Sequence, residues 1–164
     1  MKKNVILFVI LYIMIIPLFG QNYIQVLKSD VNIRFAPSTS SSVITQAKKG
    51  DVFKLANEKD AWFEIIIFSG EYRYIYKKLC KKTDYVLYLP KSEQFRKTVF
   101  LALLNAEDKA QRIADKNYPN DIIKNIDYAR SLNDKYKLNV LHKFDLQPPV
   151  YKKIIYEGVK KKWD

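Results

Sequence analysis

Val31-Asn32-Ile33-Arg34-Phe35-Ala36-Pro37-Ser38-Thr39-Ser40-Ser41-Ser42-Val43-Ile44 is the stretch on which the fold turns. Its first four residues alternate apolar and polar, as a half-buried strand does, because successive side chains leave a strand on opposite faces. Proline and hydroxyl residues from Ala36 to Ser42 then make a loop, and Val43-Ile44 resumes as a brief strand. On the N-terminal side, Tyr23 to Leu27 is a short apolar run. On the C-terminal side, Lys48-Lys49-Gly50-Asp51 is a turn, Val52 to Leu55 alternates again, and Asn57 to Asp60 is a polar turn. Trp62 to Phe68 is a strongly apolar strand that ends at Ser69-Gly70, with Tyr72 to Tyr76 beyond that turn. Several short strands separated by turns predict a small barrel or sandwich.

From about Ser92 the period changes. Phe95, Val99, Ala102, Leu103, Ala106, Ala110 and Ile113 recur at three and four residues, which is one face of a helix. Ser92 is suited to cap its start, since a serine oxygen accepts a free backbone N–H. Pro119-Asn120-Asp121 opens a second helix, whose apolar face reads Ile122, Ile123, Ile126, Ala129, Leu132 and Tyr136. Leu138 to Phe144 fits a strand as well as a helix. Pro148-Pro149 precedes a last helix with Val150, Ile154, Ile155 and Val159 inward. The fold class is therefore α+β: a strand-rich part at residues 22–89 and a helical C-terminal region at residues 90–164.

The ends of the chain add an address. Met1-Lys2-Lys3-Asn4 is a basic head, Val5 to Phe19 is almost unbroken apolar sequence, and small Gly20 precedes polar Gln21-Asn22. That order makes residues 1–20 a secretory signal peptide. Pro17 and the short apolar run favour cleavage after Gly20; an uncleaved N-terminal anchor is the alternative. The expected location is outside the cytoplasm, periplasmic or extracellular, with membrane contact only through this segment.

Composition narrows the chemistry. The 164 residues are 48% hydrophobic, enough for a core, and 14% aromatic, carried mostly by 12 Tyr and 9 Phe. Net charge is +12, which suits nucleic acid, anionic lipid or acidic wall polymers without choosing among them. An exported protein rarely meets nucleic acid, so no nucleic-acid partner is expected. The single cysteine, Cys80, excludes an intramolecular disulfide and a cysteine-based zinc site; the single histidine, His142, excludes a multi-histidine metal centre. No metal and no cofactor are expected.

The segment from Val31 to Ile44 resembles the opening of a bacterial SH3 (SH3b) domain, and the match continues in order. Lys48-Lys49-Gly50-Asp51-Val52 resembles that family's charged turn and following strand. Ala61-Trp62-Phe63-Glu64-Ile65 resembles its Trp-containing strand, and Gly70-Glu71-Tyr72-Arg73-Tyr74-Ile75 its last hairpin. The resemblance covers about Tyr23 to Tyr85. It implies a small SH3-like β-barrel with Val31, Ile33, Val43, Val52 and Ile65 inward, and with Gly50 and Gly70 in turns. Two departures stand out: Ala36 and Arg73 occupy positions where the family has glycine.

The resemblance also implies a non-catalytic module that binds cell-wall peptide or an envelope protein. The candidate binding residues are Trp62, Tyr72, Tyr74 and Tyr76, with Arg34, Phe35 and Thr39 from the long loop. Aromatic rings give flat contact area at little entropy cost, and Arg grips a carboxylate with two bonds. Trp62 and Tyr74 also fit plain core positions. An interaction or assembly protein working through its helices is the alternative. A cryptic wall hydrolase is a third reading, for which Cys80 and His142 lack a nucleophile signature and no carboxylate pair stands out. Asp60 with Glu64, and Glu107-Asp108, read as solvated acids.

Overall fold

The computed structural model describes residues 22–163; the predicted signal peptide, residues 1–20, lies outside them. Seven strands come first: β1 (Tyr23–Val26), β2 (Val31–Arg34), β3 (Val43–Ala47), β4 (Val52–Lys59), β5 (Trp62–Ile66), β6 (Tyr72–Tyr76) and β7 (Cys80–Thr83). Three helices follow, α1 (Glu93–Asn117), α2 (Ile122–Lys143) and α3 (Tyr151–Lys161), the last entered through a 3-10 turn at Pro148–Val150. The strands form one antiparallel sheet in the order β3-β2-β6-β5-β4-β1-β7. Gly50 (φ 94°) and Gly70 (φ 80°) take the left-handed turn conformations that side chains resist.

Period two decides the inner face. Ile24, Val26, Val31, Ile33, Phe53, Phe63, Ile65 and Ile75 are all buried in one apolar cluster. Val43 does not join them. A bulge between Ile33 and Arg34 shifts the β2–β3 register, so Val43 sits opposite Arg34 and is 45% exposed. A second irregularity, between Leu55 and Asn57, lets β4 run on to Lys59 where the sequence suggested a turn. Strand β7 has one buried residue, Cys80, and pairs along β1 as an edge strand.

The helices share that core. Val99, Phe100 and Leu103 of α1, Leu138 and Leu141 of α2, and Ile154 of α3 belong to the same cluster as the strand residues. Ser92 caps α1 by accepting from the Phe95 N–H, and Asp121 caps α2 by accepting from the Lys124 N–H. Leu138 to Phe144 is helical and closes α2. The expected face of α2 is only partly the buried one. Ile122 and Ile123 are about three-quarters exposed and Ile126 is exposed too, whereas Asp134 and Lys137 are buried. Two charged side chains have taken core positions that an apolar count overlooks. Val150 of the entering turn and Ile154 of α3 are inward as expected, but Val159 is exposed and Gly158 faces inward instead. A Cβ on Gly158 would stand 2.3 Å from the Phe100 ring, so only hydrogen fits there.

Polar bonds set the junction between sheet and helices. Arg73 projects from the inner side of β6, opposite Ile65, and its Nη2 lies 2.8 Å from Asp134 Oδ2 of α2. The Ser69 N–H and hydroxyl both donate to the same carboxylate, at 2.8 and 2.9 Å. Burial pushes the Asp134 carboxyl up, while Arg73 and the two Ser69 donors pull it down. His142 Nε2 lies 2.8 Å from Asp51 Oδ2, and Gln147 Oε1 accepts from the Val52 N–H. Lys137 donates to Glu107 on α1 and to the Tyr151 hydroxyl on α3, whose ring meets Phe68 edge-on. Arg96 of α1 grips Glu157 of α3 with two bonds, at 2.7 and 2.8 Å.

Candidate binding face

The outward side of the sheet is built from residues that the alternation turns away from the core. Across four adjacent strands the register sets Val43, Arg34, Tyr74 and Glu64 in one row. Flanking rows pair Trp62 with Tyr76 and Ile66 with Tyr72. Six of the seven predicted binding residues therefore lie on β2, β5 and β6 or directly after them, and Thr39 lies at the exposed tip of the loop.

They are not equally available. Phe35 and Tyr72 are each 53% exposed. The Arg73 guanidinium lies 5.6 Å from the Phe35 ring centre and supports that ring from within. Trp62 is only 8% exposed and meets Tyr76 edge-on at 5.5 Å, so its ring is packing surface more than contact surface. Tyr74 is half-buried, and its hydroxyl donates to Glu64 Oε1 at 2.6 Å. Arg34 is committed as well: its Nη1 donates to the Ser41 carbonyl at 2.6 Å. That bond braces the loop, together with Ser41 Oγ accepting from the Ala36 N–H and the Phe35 N–H bonding the Ser42 carbonyl. A loop tied at three points presents Phe35 and Thr39 in a fixed place, which lowers the ordering cost of binding.

Glu64 differs from its sequence reading. It is buried, not solvated, because Tyr74 and Lys59 close over it. The Tyr74 hydroxyl holds its carboxyl below the usual range, against the effect of burial, with Lys59 at 3.1 Å adding to the pull. The pairing is a consequence of the β5–β6 hairpin: a turn centred on Ser69-Gly70 sets residue 64 opposite residue 74. Val43 is the residue that sequence reasoning missed on this face, since the bulge that turns it outward has no signal in the residues around it. Cys80 is buried, and that burial pushes its thiol up to about 12, so it carries little thiolate at neutral pH. His142 is engaged by Asp51.

The antiparallel sheet thus has an aromatic outer face and a braced loop after its second strand. Residues 29–80 match the family model described as bacterial SH3 domain, a match that spans under half of the chain. The helical region has no family match, and no curated protein matches the chain.

Proposed function

We propose that this chain is an exported, non-catalytic binding module of the cell envelope, whose SH3-like face docks on cell-wall peptide or an envelope protein. One observation carries the reading: Phe35 and Tyr72 stand half out in water beside a braced loop. Exposed aromatic side chains of this kind are typical binding anchors. The bacterial SH3 match over residues 29–80 supports a binding role. The apolar leader supports delivery across the membrane. Cys80, with its raised thiol, and His142, held by Asp51, support the absence of chemistry.

The test is co-sedimentation with purified peptidoglycan at low salt and at about 0.15 M salt, where the Debye length has shrunk to about 8 Å. Pelleting that survives salt, and that falls at least about tenfold in the Phe35→Ala, Tyr72→Ala double variant, is the expected result. The melting curve of that variant should stay within about 0.5 kcal/mol of the parent, because both side chains are surface ones. Pelleting only at low salt would reduce the interaction to the net charge of the chain. A large loss of stability would place the two rings in the core.

A second reading has its own support. Ile122, Ile123 and Ile126 expose apolar surface at the start of α2. This favours a protein partner held by the helical region. Ile122→Ser with Ile123→Ser would then abolish capture of that partner and leave wall pelleting unchanged.

A further inference from the structure

A second concavity lies where the outer side of the sheet meets the Pro148–Val150 turn and the first residues of α3. It encloses about 270 Å³. Its floor is apolar, made by Ile66, Phe68, Leu87 and Tyr151. Its rim is cationic: Lys54 comes from β4, and Lys152 and Lys153 come from the start of α3. No acidic side chain lines it. Among the described residues none of these three lysines enters an ion pair.

Three unneutralised cations around an apolar floor make a site for a ligand that is apolar at one end and anionic at the other. Size decides which. Small-molecule pockets run from about 300 to 1,000 Å³, so this one holds a side chain or two and not a long acyl chain. The floor and rim are adjacent, so the charge must sit one residue's reach from the apolar group. A peptide that ends in an apolar residue meets both conditions, since its terminal carboxylate is attached to the residue whose side chain fills the floor. We propose that this cleft binds the free C-terminus of a peptide with an apolar last residue, the side chain resting on Ile66, Phe68 and Tyr151 and the carboxylate facing Lys54, Lys152 and Lys153. Neither Phe35 nor Tyr72 lines it, although Ile66 of its floor pairs with Tyr72 across the β5–β6 hairpin, and half of it is contributed by the segment beyond the SH3 match.

The experiment is calorimetric titration of the full chain with N-acetyl-Ala-Ala-Phe as the free acid, as its C-terminal amide, and with dodecanoate. The free acid should bind at least about tenfold more tightly than the amide, and the preference should shrink with salt. Lys152→Gln with Lys153→Gln should remove that preference without changing the far-ultraviolet circular dichroism, since both side chains are exposed. Phe35→Ala should leave the titration unchanged. Equal binding of acid and amide, no binding by either, tighter binding of dodecanoate, or loss of binding in Phe35→Ala in place of the lysine variant would each overturn the proposal. The outcome is distinguishable from that of wall pelleting, which reads Phe35 and Tyr72.

Discussion

Inside the sheet, β1, β2, β4 and β5 meet through Ile24, Ile33, Phe53 and Ile65, side chains with no polar atom to satisfy. Where the sheet meets the helices the same apolar cluster continues, and contacts of another kind are added to it: Arg73 with Asp134, His142 with Asp51, Gln147 with the Val52 N–H. Apolar packing is tolerant and non-directional, so it holds the strands together without demanding one arrangement. Buried polar bonds are costly when broken, so they fix how the second half sits on the first. The sheet gains its stability from area, and the junction gains its uniqueness from geometry.

The sharpest way to break that contrast is Asp134→Ala. Arg73 is 3% exposed and Asp134 fully buried, so the substitution strands a guanidinium out of water. A loss of about 3–5 kcal/mol is expected, read from the urea midpoint. Replacing both partners, Arg73→Met with Asp134→Leu, should recover most of it; failure to recover would mean that the pair stabilises beyond apolar packing. Gly158→Ala comes next. An alanine normally favours a helix by about 1 kcal/mol over glycine. Here its Cβ would overlap the Phe100 ring at 2.3 to 2.6 Å, and Phe100 is itself buried. Overpacking should win, with a net loss of about 1–3 kcal/mol in thermal melts. A stabilised variant would show that α3 can slide on α1.

The smallest effect belongs to acid. The Arg96 guanidinium, with help from Lys161, holds the Glu157 carboxyl down from 4.5 to about 2. A carboxyl lowered in the folded chain contributes stability that is present above its unfolded value and lost as pH falls toward the folded one. The α1–α3 contact should therefore weaken between about pH 4.5 and 2. Glu157→Gln should flatten that part of the melting profile, by about 1 kcal/mol or less for a pair near the surface. A profile unchanged by the substitution would assign the acid loss to another carboxylate.

Much of the strand-rich half could be read from the residues, because alternation and turn glycine are local signals. The run from Val31, the turn at Gly50 and the hairpin at Gly70 are where they were expected. The bulge that turns Val43 outward was not legible, since a register shift is decided by both strands at once. Strand β7 escaped notice because Cys80-Lys81-Lys82-Thr83 has a single apolar residue, and an edge strand needs no more. In the helices, counting apolar residues located α1 and its cap but misjudged the face of α2, where partners 60 or more residues away make Asp134 an inward residue. On the candidate face, Trp62 and Tyr74 fit core positions in the sequence, and the structure buries Trp62 and half-buries Tyr74 while leaving Phe35 and Tyr72 exposed. Arg34 could not be seen to spend its donor on the loop, because that depends on where Ser41 folds.

Arg73 gives this domain an unusual relation to its neighbours in the chain. Where the resemblance leads one to expect glycine in that hairpin, the chain has placed a cation whose counter-ion, among the described residues, is delivered by a helix some sixty residues later. A portable domain can be moved between proteins because its surface is complete when it is cut out. This one, excised at the edge of its strands, would carry an uncompensated charge and a bare apolar floor.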